Sequence, residues 1–295
     1  MKRPEHPSAA PLSCADVRRR IARRVADAHR PLAPEQPDDL LSFVSGSTVE
    51  DLADARSDVD MSVVLPALPD AAALQAACAR AGGTPWFWTA GDLAEGSLVV
   101  AFHVDGIETQ IGYSTHAVLN DHVDELLIRH NPDTPIHKLA EGILKAEALA
   151  GAGRLDAIKA RLAAFPPELA DAMLGFWLKS PTPWKAITQL RQRDAGLWCR
   201  ELLVEAGYRM LGVLAALNRR YFTRFQVKRV GKLAASFAIA PPQLAARLDA
   251  LLVAEPFAAF EALHALEAEV LALVALHAPH VDIAAARQRQ ADFKA

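Results

Sequence analysis

Cysteine is scarce in this chain. Cys14, Cys78 and Cys199 are too few and too scattered among 295 residues to form a disulfide framework, and with no CxxC pair they offer no zinc knuckle. Long hydrophobic runs are missing too: nothing approaches the roughly 20 apolar residues of a membrane-spanning helix. Residues 1–11 are polar and proline-containing, with no apolar segment behind their charges as a secretory leader would have. A reducing cytoplasm is the expected setting. Charge of one sign is not in excess, with 32 Lys and Arg against 35 Asp and Glu and a net charge of −3. That balance argues against a general nucleic-acid coat protein but allows a local basic patch. No phosphate loop of the GxxxxGK[ST] type, GxGxxG, HExxH or GxSxG is present, so P-loop, dinucleotide-binding, zincin and serine-hydrolase readings fail. Among the ten histidines, His130 and His137 lie too far apart for one helical metal face, and His277 and His280 lack acidic neighbours. None is expected to bind metal.

What is present is apolar enough, at 52% hydrophobic residues, to build a sizeable core. Residues 1–12 read as a disordered lead-in. Ser13 and Asp16 have the spacing of a capping box, and Val17, Ile21, Val25 and Ala28 continue it as an apolar stripe at helical spacing, ended by Pro31, Pro34 and Pro37. The arginines of that helix (Arg18, Arg19, Arg20, Arg23 and Arg24) read as a solvated face ahead of an RNA-binding one.

From Leu40 to about Tyr113 the pattern is that of strands. Residues 40–44 form a short apolar run halted by Ser45-Gly46-Ser47. Val59, Met61, Val63 and Leu65 alternate with more polar neighbours, the period of a half-buried strand. Residues 71–80 read as a helix closed by Gly82-Gly83. Residues 98–104 and 107–113 flank Asp105-Gly106, a two-residue hairpin signal. Trp86 and Trp88 read as packing residues before any base-stacking role. Beyond His116 helical periodicity takes over, rich in Ala and Leu and broken at prolines such as Pro132, Pro166 and Pro241, as a bundle requires. The tail beyond Pro279 reads as a loosely attached helix.

Asp58 and Asp60 carry the chemistry. Residues i and i+2 of a strand project from one face, so the two carboxylates stand together, roughly 6–7 Å apart at Cα. Their repulsion calls for a cation, and hard oxygen ligands select Mg²⁺, which shares its shell with substrate phosphates. Gly46 and Ser47 follow a strand, where a turn presents backbone N–H groups and a hydroxyl to phosphate oxygens. Glu108 shares the even-numbered face of the second hairpin strand with Gln110, while Ile107, Ile111 and Tyr113 take the other. An acid there is a candidate third ligand.

Ser45-Gly46-Ser47, Leu52-Ala53-Asp54 and Ser57-Asp58-Val59-Asp60-Met61, with Glu108 on a later strand, resemble the signature of the DNA polymerase β-like nucleotidyltransferase superfamily. A small catalytic domain before a helical one most resembles its aminoglycoside and lincosamide nucleotidyltransferase branch. The motif resemblance covers residues 40–113. In the helical half it rests on Arg193-Asp194 and on residues 217–222. The chain departs from the pattern in having Val49-Glu50-Asp51 where many relatives have a glycine.

The resemblance implies an α+β protein, with a nucleotidyltransferase-type mixed sheet and flanking helices in a catalytic domain at 13–128, then a helical bundle at 129–295. It implies transfer of a nucleoside monophosphate from an NTP, ATP first, to a hydroxyl of a small molecule such as an antibiotic, with Asp58, Asp60 and Glu108 holding Mg²⁺ and Glu108 alternatively serving as base. Gly46, Ser47, Asn218, Lys228 and Lys232 are the implied nucleotide-binding residues. Residues 219–232 hold six basic side chains and no acid. Lys228 and Lys232, four apart on a helix face, would help neutralise a triphosphate from the second domain, although an exposed basic face accounts for the same pattern. Tyr221 and Phe222 read as core residues ahead of base-stacking ones. Transfer to RNA or protein and a silent nucleotide-binding module are the alternatives.

Overall fold

The computed structural model describes residues 12–33, 36, 39–179, 182–190, 193–225 and 227–291. Residues 1–11 of the lead-in and the prolines Pro34, Pro37 and Pro181 lie outside them. The chain forms two compact units, residues 1–123 with 142–163, and residues 124–141 with 164–295. A single boundary at 128 would miss the return of 142–163 to the first unit. Its cause is a short strand that completes the sheet.

In the first unit, helix α1 (Cys14–His29) begins at Ser13, whose hydroxyl accepts from the Asp16 N–H and donates to the Asp16 carboxylate, as the capping spacing predicts. Six strands form one sheet in the order β3-β4-β5-β2-β1-β6. They are β1 (Leu41–Ser45), β2 (Val59–Leu65), β3 (Trp88–Asp92), β4 (Ser97–Val104), β5 (Ile107–Thr115) and β6 (Glu147–Ala150). β2 and β5 run parallel, and the other neighbours are antiparallel, so the sheet is mixed as expected. The β4–β5 hairpin turns at Asp105 (φ 52°) and Gly106 (φ 77°), the two left-handed residues that a type I′ turn demands. Helix α2 (Ala71–Arg80) occupies the predicted residues, capped by the Asp70 carboxylate on Ala73 N–H.

Alternation sorts the strand residues. Val59, Met61, Val63 and Leu65, with Val100, Phe102, Val104, Ile111 and Tyr113, are buried against Ile21, Ala22 and Val25 of α1 and Leu74 and Cys78 of α2. Behind the sheet His29 Nδ1 donates to Val25 O (2.7 Å), so its Nε2 accepts from the Tyr113 hydroxyl (2.8 Å), beside which lies Cys78 Sγ (3.3 Å). Burial holds the His29 imidazole below its ordinary range and the phenol of Tyr113 well above its own.

The first unit is completed by α5 (Ala152–Ala163), while α3 (His116–Leu127) and α4 (Ile136–Lys145) each carry a boundary between the units. The second unit is helical: α6 (Pro167–Lys179), α7 (Trp184–Leu190), α8 (Gly196–Leu217), α9 (Val230–Ala235), α10 (Leu244–Val253), α11 (Pro256–His277) and α12 (Ala284–Ala291). Tyr221 and Phe222 are buried there as packing residues. The final helix is tied down rather than loose, since His264 Nε2 and O both bond to Gln290, each at 2.9 Å. No helix among the described residues is long and apolar enough to cross a membrane.

Candidate active site

The strand run at residues 40–44 ends where Gly46 enters a left-handed conformation (φ +68°) and opens a single 3-10 turn, Gly46–Thr48. The cause lies on the neighbouring strand. A Cβ at position 46 would stand 2.6 Å from Asp60 Oδ2, so only glycine lets the turn close against that carboxylate. Thr48 is buried and its hydroxyl has no hydrogen-bond partner among the described residues. The spacer then turns through Asp51 at φ 54°. This chain has an aspartate in the left-handed conformation that a glycine adopts most readily, and Asp is among the few residues that tolerate it.

The approach to Asp58 is held from both sides. Asp54 accepts from Arg56 N–H and from the Ser57 hydroxyl, which in turn accepts from Asp54 N–H. Arg18 reaches across from α1 and donates two hydrogen bonds to Ser57 O (2.7 and 2.5 Å) and a third to Cys14 O. This arginine is 3% exposed, a correction to its reading as part of a solvated face. Its spacing to Ile21 and Val25 carried the signal, since i, i+3 and i+7 define the buried stripe. Three further arginines of α1 are also engaged. Arg19 pairs with Asp51 (2.8 Å) and Glu147 (3.4 Å), Arg23 with Glu147 (3.2 Å) and Arg24 with Asp105 (2.7 Å).

Asp58 immediately precedes β2 and Asp60 is its second residue. Asp60 is level with Gln110 of β5, which places Asp58 beside Glu108, and all four side chains share the face away from α1 and α2, half-buried. Gln110 is the residue that pattern reading passed over as a mere neighbour. Its amide donates to Glu108 Oε1 at 2.8 Å and reaches Asp58 Oδ2 at 3.5 Å, a firm bond and a marginal one. One carboxamide thus orients both acids.

Two aspartates on one strand face, partly open to solvent, suit Mg²⁺, which takes one or two protein carboxylates and completes its shell with phosphates and water. Among the described residues no group of three or more His, Cys, Asp or Glu side chains converges to cage an ion. Glu108 therefore stands on the expected face, tied to Gln110, without closing a three-carboxylate cage.

The remaining candidates belong to the second unit. Asn218 caps the end of α8: its amide donates to Leu214 O (2.7 Å) and Ile239 O (2.8 Å), and its oxygen accepts from Ile239 N–H (2.8 Å). Lys228 and Lys232 are exposed, but α9 starts only at Val230, so Lys228 precedes it and the two do not share a helix face. Gly231 within so short a segment disfavours an earlier start. His137, read as no metal ligand, is buried, with Nε2 on Asn131 O (2.9 Å) and Nδ1 accepting from Phe222 N–H (3.3 Å).

No protein-family model matches the chain, and no curated protein matches it. Among solved structures, a nucleotidyltransferase-like protein from Exiguobacterium sibiricum 255-15 aligns over 85% of this chain and 76% of its own, at 13% identity and a TM-score of 0.42. A chain of the CdnC:HORMA-deltaN complex of E. coli MS115-1 aligns over 97% of this chain and 94% of its own, at 16% identity and a TM-score of 0.28. Likenesses this distant carry no conclusion about chemistry, which rests on the site residues themselves.

Proposed function

We propose that this chain is an enzyme, a Mg²⁺-dependent nucleotidyltransferase that moves a nucleoside monophosphate from an NTP, ATP first, to a hydroxyl group of a small molecule. The observation that carries the reading is the closure of the Gly46–Ser47 turn against Asp60 on the same sheet face as Asp58, Glu108 and Gln110. Phosphate-cradling backbone, paired acids and a third carboxylate are the parts that in-line attack on phosphorus requires.

In this reading the turn receives the β- and γ-phosphates. Asp58 and Asp60 hold Mg²⁺, which offsets phosphate charge and polarises the α-phosphorus centre when bound. The acceptor hydroxyl oxygen forms a new bond to the α-phosphorus, the bond from that phosphorus to the bridging oxygen breaks, and pyrophosphate departs with the electron pair. Glu108, held by Gln110 outside a three-acid cage, takes the hydroxyl proton. The engagement of four α1 arginines with carboxylates and backbone carbonyls favours a small acceptor over RNA or protein, and antibiotics with hydroxyl groups belong to the candidates.

The test is pyrophosphate release from each of the four common NTPs, with Mg²⁺ and a panel of hydroxyl-bearing small molecules, RNA and protein. Release with a small molecule, lost in Asp58→Ala and in Asp60→Ala, supports the reading. No release with any donor and acceptor sinks it.

A further inference from the structure

The face that carries the acids continues past them. Strand registers align Ser45, Asp60, Gln110, Ala101 and Trp88 in one row across β1, β2, β5, β4 and β3. Residues level on neighbouring strands project from the same face, so Trp88 stands on the acid face. In the adjoining row His103 is level with Glu108, and the Phe87 ring stacks on His103 with centroids 4.8 Å apart and planes 27° apart. Phe87 is 54% exposed and Trp88 48%, a correction to the reading of Trp88 as a packing residue. Trp86, by contrast, packs on the core. Between Trp88 and Gln110 the floor is Ala101, buried and small. Two exposed aromatic rings, one on an edge strand and one just before it, invite aggregation unless something uses them.

Reaction geometry says what uses them, given the nucleotidyl-transfer reading on which this inference rests. In-line displacement puts the attacking and leaving oxygens on opposite sides of phosphorus. The Gly46–Ser47 turn lies on the β1 side of the aspartate strand, and Glu108 lies on the β5 side. With pyrophosphate over the turn, the attacking hydroxyl comes over β5 and the body of the acceptor extends over β4 and β3. A strand spacing of about 4.8 Å sets His103 roughly 5 Å from Glu108, and Trp88 roughly 10 Å from it and roughly 14 Å from β2, a span bridged by a ring joined to a hydroxyl-bearing sugar or short chain. Carboxylates at the ends of these strands are committed: Asp92 accepts from Ala94 N–H and Asp105 pairs with Arg24. The ledge thus offers π faces rather than free negative charge.

We propose that Phe87, Trp88 and His103 form the acceptor subsite, and that the acceptor carries a flat aromatic or heteroaromatic ring attached to its hydroxyl-bearing part. Stacking holds the ring, and the ledge's distance from Glu108 places the hydroxyl for attack.

Calorimetric titration of the full chain without Mg²⁺ tests this, using adenosine, guanosine, uridine and the phenolic alcohol tyrosol as ring probes. Their ranking separates a nucleoside acceptor from another aromatic one. At least one probe is expected to bind wild type and Asp58→Ala alike, and to bind Phe87→Ala and Trp88→Ala about tenfold or more weakly. Trp88→Phe should restore binding, and Phe225→Ala, an exposed aromatic of the second unit, should leave it unchanged. Affinity for Mg²⁺–ATP should be the same in Phe87→Ala and Trp88→Ala as in wild type. Absence of binding by every probe overturns the proposal. So does a parallel loss of Mg²⁺–ATP affinity, which would make the ledge a seat for the donor base. If the aspartate variants keep full Mg²⁺–ATP affinity, the transfer reading fails instead, a result these variants do not share.

Discussion

Gly46 sits at φ +68° with space for no atom beyond Cα on the side of Asp60 Oδ2. Gly46→Ala would cost about 1–2 kcal/mol in backbone strain alone and would displace the Asp60 carboxylate, so turnover should fall on the order of tenfold or more. Steady-state rates beside a circular-dichroism melt separate the two effects. Gln110 acts through the acids it touches. Removing its amide in Gln110→Ala frees Glu108 and Asp58 from their common donor, and activity should drop about 10–100-fold, the usual cost of losing an orienting partner. The melting temperature should change little, because the side chain is half-exposed. At this scale Asp58, Asp60, Gly46 and Glu108 were legible because strand alternation decides which side chains stand together. The roles of Gln110 and Arg18 were not, since a hydrogen bond across strands or from a helix to a loop has no signature in local spacing.

Helix α1 does more than cover the sheet: through Arg18 it fixes the carbonyl one residue before Asp58. Arg18→Met, which keeps the apolar stem but removes the donors, should destabilise the protein by about 2–3 kcal/mol, the scale of lost charge-assisted bonds to a part-buried carbonyl. Arg20→Met, an exposed change on the same helix, should stay within about 0.5 kcal/mol. Urea denaturation compares the pair. The capped helices α1 and α2 and the β4–β5 hairpin were readable because caps and tight turns depend on a few residues in sequence. Two strands escaped. β3, Trp-Thr-Ala-Gly-Asp, is exposed throughout and so lacks alternation. β6, Glu-Ala-Leu-Ala, has the composition of a helix, and pairing with β1 overrides that propensity. The return of residues 142–163 to the first unit was hidden for the same reason.

Each compact unit buries a neutral histidine, His29 in the first and His137 in the second, and burial depresses both imidazoles below their ordinary value of 6.5. The unfolded chain takes up protons at these sites near pH 6.5, and the folded chain does so only at lower pH. Stability should therefore be independent of these groups above that value and fall as pH drops through it, by at most about 1.4 kcal/mol per pH unit for each histidine. Denaturation at pH 7.5 and 6.0, with imidazole NMR titration to show two rings that protonate below their ordinary range, checks the sign. At the scale of the whole molecule, the family resemblance implied that the sheet is mixed, and strands followed by helices were legible from the change of period along the chain. The acceptor was not, since no local pattern reports which side chains line an open face. Binding of a metal–nucleotide complex by Asp58 and Asp60 decides the proposed function. Calorimetry with ATP, GTP, CTP and UTP in the presence and absence of Mg²⁺ measures this without knowledge of the acceptor. At least one nucleotide should bind more tightly with Mg²⁺ than without it, and that gain should vanish in Asp58→Ala and in Asp60→Ala. Affinities that are indifferent to Mg²⁺, or identical in wild type and both variants, would contradict the account.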